Sequence, residues 1–172
     1  MVCTGLAENI KCHLRRRSTE MPTVTNVDAQ SAITAHHAEL QASLRERVLA
    51  LRVEVQAGRS YTDPQRNVLD YLDSELLPHA AAEEAALYPA GDSGRTALLV
   101  RAMKDEHRNL IAHVAALRVA ADGVEAVAIS SAILALFESH LSKENDLLIP
   151  VLVADPNVAL GALLGGMHEL LG

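Results

Sequence analysis

The chain has 172 residues, of which 49% are hydrophobic but only 2% aromatic, and its formal net charge is −7. That length suits one domain with a full core, and a core limited to Leu, Val, Ala and Ile favours helices over sheets. An acidic chain without a basic stripe argues against a nucleic-acid binder.

Both cysteines, Cys3 and Cys12, sit near the N-terminus, so neither a disulfide framework nor a cysteine-rich zinc site is expected in the body. A reducing, cytoplasmic setting fits that usage. Residues 1–20 carry four basic and two acidic groups and lack the apolar segment of a secretory signal. Residues 1–25 are expected to be a disordered extension, with a transit peptide as the alternative. No apolar run reaches the roughly eighteen residues needed to span a bilayer, so no membrane partner is expected.

Asn26 or Asp28 offers the first helix cap. The first helix carries the stripe Ile33, His37, Leu40, Leu44, Val48, Leu51, Val55 and runs to Gly58. Asp63-Pro64 opens the second, with Val68, Leu72, Leu76, His79, Glu83, Ala86, ending at the AGDSG segment, 90–94. The third shows Leu99, Met103, His107, Leu110, Val114, Leu117 and stops at Asp122-Gly123. The fourth shows Ile133, Phe137, His140, Glu144, Leu147, Val151 and stops at Asp155-Pro156. Steps of three and four are the faces that meet in a bundle. The prediction is an all-α, antiparallel up-down four-helix bundle over residues 26–172, with an additional short C-terminal helix within 156–172.

Each stripe contains one histidine, and two contain a glutamate one turn later. A lone core histidine is unremarkable. A buried ionised glutamate without a partner, however, costs several kcal/mol, against a net stability of about 5–15 kcal/mol for a whole domain. No Lys or Arg shares these stripes. A metal centre bonded by the carboxylates and imidazoles removes the difficulty.

HAAAEEAALYP (79–89) and HLSKENDLLIP (140–150) both read H-x3-E-x5-P. Each follows a helix with one stripe histidine, so the chain reads as two hairpins of one design. Spacing of four puts each His and Glu on one helical face, and two facing pairs suit two ions bridged by two carboxylates. The prolines, with Pro78 before the first pair, are expected to kink or end their helices.

The order H…HxxxE…H…HxxxE over about residues 28–154 resembles the hemerythrin-like family, or HHE cation-binding domain, in the shorter-motif variant found among actinobacterial members. The resemblance implies the metal ligands His37, His79, Glu83, His107, His140 and Glu144, with the two glutamates bridging two non-haem iron ions, oxo- or hydroxo-bridged. Mixed nitrogen and oxygen ligation also suits manganese or zinc. Relative to the oxygen carriers, Ile111 stands where a second helix-3 histidine would be and Asn145 where an aspartate would be, with Glu144 as the bridge. Fewer histidines leave more open coordination, which favours reactivity over reversible storage. The family likeness then implies a small-molecule ligand (dioxygen, hydrogen peroxide or nitric oxide) and a catalase-like peroxide decomposition as one activity, in a monomer or homodimer. The alternative is an iron- or oxygen-sensing or sequestering module without turnover.

His36 lies about 100° off the stripe, towards a flank; His113 points to solvent; His168 in the last helix either packs or folds back to fill the missing ligand position. Glu84 is expected to be solvated or to orient a ligand histidine. Tyr71 and Tyr88 lie near by helical spacing, and either packs, hydrogen-bonds a bound oxygen species or binds iron. Tyr71 is kept as a candidate beside His36 and His168. No H-E-x-x-H, E-x-x-H pair on a stripe, G-x-G-x-x-G or G-x-S-x-G motif points elsewhere.

Overall fold

A computed structural model describes residues 24–171, without the side chains of His168 and Leu171. The expected extension over 1–25 and the candidate His168 therefore fall, wholly or nearly so, outside the described residues. Among these residues there is no strand. Five helices follow one another: α1 (Asn26–Gln56), α2 (62–91), α3 (Ala97–Arg118), α4 (Gly123–Ala154) and α5 (Leu160–Leu171). The first four form the predicted bundle, with α1 packed on α2 and α4, and α3 on α4. The fifth lies across α1 and the second half of α2. It is tied to the start of α1 by Asn26, whose Nδ2 donates to the Val158 carbonyl at 2.9 Å and whose Oδ1 accepts from the Leu160 amide at 2.8 Å.

The helix ends are local. Thr25, rather than Asn26 or Asp28, caps α1, its hydroxyl accepting from the Asp28 amide at 3.1 Å. Gly58 takes φ 66° just past the end of α1, a conformation with no Cβ penalty for glycine. Asp122 caps α4 through the Glu125 amide at 2.9 Å, and the Glu125 carboxylate reaches back to the Ala121 amide at 2.7 Å. At α2 the helix starts at Thr62, one residue before the expected Asp63 cap, and has no side-chain cap.

The prolines do not end their helices. Both α2 and α4 continue through them by widening into π turns at Leu72–Leu76, Glu83–Leu87 and Glu144–Leu148. Pro78, Pro89 and Pro150 each follow the end of a π turn by two residues. A proline ring clashes with the carbonyl four residues back, which here is Ser74, Ala85 or Asp146, each inside the widened turn. The residue before each proline instead donates to the carbonyl five back: Leu77 to Leu72, Tyr88 to Glu83, Ile149 to Glu144.

The widened turns correct the predicted stripes. After Glu144 the core position falls to Leu148 (0% exposed) and not Leu147 (52%). After Glu83 it falls to Leu87 and Tyr88, both fully buried, and not Ala86, which is only partly so. On α3, Val100 replaces Leu99 as the buried member of its turn.

The core divides into two apolar clusters. One contains Leu40, Leu44, Leu51, Leu72, Leu76, Leu117 and Phe137; the other contains Ile33, Leu87, Val100, Met103, Leu148 and Ile149. On every bundle helix the candidate residues lie between the two. By length and composition α4, with an 18-residue window of mean hydropathy 1.5, is long and apolar enough to cross a membrane. In the fold it packs on α1 and α3 and contributes buried side chains to both clusters.

Candidate metal centre

Between the two clusters lies a polar layer. His37, His79, Glu83, His107, His140 and Glu144 are each 3% exposed or less. All six predicted residues converge there, two helices supplying one histidine each and two supplying an H-x3-E pair.

Glu83 sits at the middle. Its Oε1 approaches His79 Nε2 at 2.7 Å and His37 Nε2 at 3.3 Å. Its Oε2 faces the other way, 3.5 Å from His107 Nε2 and 3.9 Å from His140 Nε2. Glu144 also lies between the histidine pairs, with Oε2 3.8 Å from both His37 Nε2 and His140 Nε2. The donor atoms thus form two compact groups that share one carboxylate: His37, His79 and Glu83, and Glu83, His107 and His140.

The ring edges facing away are held differently. Nδ1 of His107 pairs with Glu84 Oε1 at 2.9 Å, that of His140 with Glu106 Oε2 at 3.1 Å, and that of His37 with Asn145 Oδ1 at 2.8 Å. Glu106 also meets the Lys143 ammonium. These contacts turn three Nε2 atoms inward.

Much of the layer is unsatisfied. His37 Nε2, both ring nitrogens of His79, Glu83 Oε1 and both oxygens of Glu144 are buried with no hydrogen-bond partner among the described residues. An unsatisfied buried polar group costs about 1–3 kcal/mol, more when charged, so this set rivals the net stability of a domain, about 5–15 kcal/mol. Cations bonded to Nε2 and carboxylate oxygens satisfy nearly all of it. Borderline nitrogen and hard oxygen donors together suit iron, manganese or zinc.

The electrostatics agree. Burial works to raise the Glu83 carboxyl, but the attraction of His79 and the contacts with His107, His140 and His37 hold it well below the ordinary carboxylate range. Burial, and then the charge of Glu83, drive Glu144 well above that range. The histidines of the layer thus compensate one carboxylate and leave the second without a counterion. For His107, burial is outweighed by Glu83 and Glu84, which raise it.

The remaining candidates separate. His36 is exposed on the flank, its ring meeting the His79 ring edge-on at 5.1 Å; burial, then His79 and His37, lower its pKa. Tyr71 is turned to α1, its hydroxyl donating to the Leu40 carbonyl at 3.0 Å and its ring lying under the Arg47 guanidinium. The tyrosine of the layer is Tyr88. Its hydroxyl lies 3.2 Å from His140 Nε2 and 3.5 Å from both His107 Nε2 and Glu83 Oε2. Burial, and then Glu83 and Glu144, push this phenol far above its ordinary range, so it stays protonated at neutral pH. His113 is partly exposed and its Nδ1–H donates to the Asn109 carbonyl at 2.7 Å. Glu84 takes the orienting position considered for it. Glu106 has no place in the sequence motif, and Asn145 enters it only as a departure from the carrier pattern. The signal for Glu106 was positional: it precedes the stripe histidine His107, on the side facing α4.

No curated protein and no solved structure matches the chain. The family model of the hemerythrin HHE cation-binding domain matches residues 28–158. That span runs from the first turn of α1 past the end of α4 and includes all six converging residues, and the chain belongs to the hemerythrin HHE cation-binding family.

Proposed function

We propose that this metal-binding module is a non-haem di-iron protein that binds or turns over a small oxidant: peroxide, dioxygen or nitric oxide. The observation that carries this reading is Glu83, a buried carboxylate whose two oxygens face two separate histidine pairs. Such a carboxylate is placed to join two cations. Glu144, lying between His37 and His140, would offer the ions a second carboxylate.

His37 and His79 would hold one ion and His107 and His140 the other, each through Nε2. Two irons, when bound, supply the electrons exchanged with the oxidant. The protein supplies position, proton and dryness. The apolar clusters above and below the layer exclude water, which strengthens every charge interaction inside it. Asn145, Glu84 and Glu106 fix the ring orientations through Nδ1. The Tyr88 hydroxyl, protonated and within reach of the His107/His140 side, is placed to donate a hydrogen bond to an anionic oxidant there.

Peroxide disproportionation fits this equipment. Two peroxides give two waters and one dioxygen, with no external reductant and no extended substrate pocket. The reading is tested by measuring metal per chain together with the optical spectrum of the purified protein. Two irons per chain with a ferric absorption band support it; zinc, or no metal, overturns it. Oxygen evolution on adding peroxide then tests turnover, with Glu83→Ala and Glu144→Ala expected to abolish it. Unchanged evolution in both variants excludes this layer as the site.

A further inference from the structure

The two hairpins place equivalent backbone positions around the layer and fill them with different chemistry. The residue after the bridging glutamate supports the histidine of the opposite hairpin: Glu84 holds His107 at 2.9 Å, whereas Asn145 holds His37 at 2.8 Å. The residue before each stripe histidine faces the H-x3-E histidine of its own hairpin. There Glu106 bonds His140 Nδ1 at 3.1 Å, but its counterpart His36 only lays its ring against His79. Nδ1 of His79 stays without a partner among the described residues. Five residues after the glutamates, the second hairpin has the apolar Ile149, and the first has Tyr88 with its hydroxyl against His107 and His140. At all three positions the anionic or hydroxyl group falls on the same half.

An imidazole whose Nδ1–H is shared with a carboxylate becomes a stronger donor at Nε2, whereas a neutral amide oxygen does much less and an absent partner does nothing. Lys143 offsets part of the Glu106 charge, and the Glu84 side chain is 39% exposed, which screens it. Both effects reduce the difference without reversing it, because among the described residues neither ring of the other half has an anionic partner at Nδ1. Glu83 and Glu144 face both halves and cancel from the comparison.

We infer that the two cation positions are unequal, with the His107/His140 position binding a divalent cation first and more tightly and the His37/His79 position filling second, and that Glu84 and Glu106 are the positioning residues that create the difference. This rests on the di-metal reading above. It adds an order of loading that the shared ligand set does not contain.

The test is calorimetric titration of the chelator-stripped full-length chain with Zn²⁺, which keeps redox chemistry out. Two resolved steps are expected. Glu84→Gln and Glu106→Gln retain an acceptor for Nδ1–H and remove only its charge, and each should weaken the first step about 10-fold or more while leaving the second in place. Asn145→Asp approaches from the other side and should strengthen the second step, narrowing the gap. Circular dichroism confirms that each variant is folded. Two equal steps in the parent chain overturn the inference while leaving the di-metal reading intact. So does an equal weakening of both steps, or no weakening at all, which reduces the carboxylates to orienting groups. No Zn²⁺ binding at all overturns the di-metal reading and the inference with it.

Discussion

The polar layer and the apolar clusters on either side of it are built on the same four helical stripes, yet they are satisfied in opposite ways. Leu44, Leu51, Leu72, Leu76 and Leu117 are completely shielded within 0% exposure and need nothing beyond one another. The layer between the clusters is buried as deeply, but both Glu144 oxygens, His37 Nε2 and both ring nitrogens of His79 find no hydrogen-bond partner among the described residues. One part of the core closes on itself and the other is complete only with cations. Stability should therefore come mostly from the first and metal affinity from the second, and variants can separate the two.

The largest effect is expected from Glu83→Ala. It removes the carboxylate shared by both donor groups, so affinity for both ions should fall by more than about 100-fold, beyond the loss typical of a supporting residue. Competition with a chromophoric chelator reads this directly. Two ions retained at parental affinity would show that the layer is not the site. Next comes Leu44→Ala, in the apolar cluster, expected to cost about 2–5 kcal/mol in denaturant unfolding without changing metal per chain. If metal is lost in parallel with stability, the two parts of the core are not separable.

Glu144→Gln sharpens the contrast in the other direction. The parent carboxylate has no buried counterion, so in the chelator-treated chain its neutral replacement should raise unfolding stability by about 1–3 kcal/mol. With metal present the sign should reverse, because the variant lacks an anionic oxygen to offer the cations. A variant less stable than the parent under chelation would mean that Glu144 is already well compensated by its neighbours.

The layer and its six histidine and glutamate positions were legible because burial in a helix repeats every three to four residues, and charge on such a stripe demands a counterpart. The bundle was legible for the same reason, together with the Gly and Asp-Pro breaks. What stayed hidden depends on the π turns. Their cause is local, since Pro89 and Pro150 disturb the turn before them, but the outcome needed the structure: the prolines could end or kink their helices, and the chain continues through a widened turn. In a regular α-helix Tyr88 would sit about 140° around from Glu83, which left it no better placed than Tyr71. Leu147 and Leu148 exchange roles for the same reason. Glu106 was hidden differently, because its relation to His140 is a contact between helices and not a spacing along one.

The smallest expected effects separate the two tyrosines. Tyr71→Phe removes a hydroxyl bonded to the Leu40 carbonyl, a loss of about 0.5–1.5 kcal/mol in stability, and should leave the optical spectrum of the metal-loaded protein unchanged. Tyr88→Phe removes a hydroxyl that faces His107, His140 and Glu83. Its ring stays in the apolar cluster, so the stability change should be no larger than that of Tyr71→Phe. The spectrum, however, should shift, because the deleted atom borders the donor nitrogens themselves. A shift in the Tyr71 variant, or none in the Tyr88 variant, would invert the assignment. The distinction does not depend on turnover: it asks only which phenol belongs to the layer and which to the apolar packing beside it.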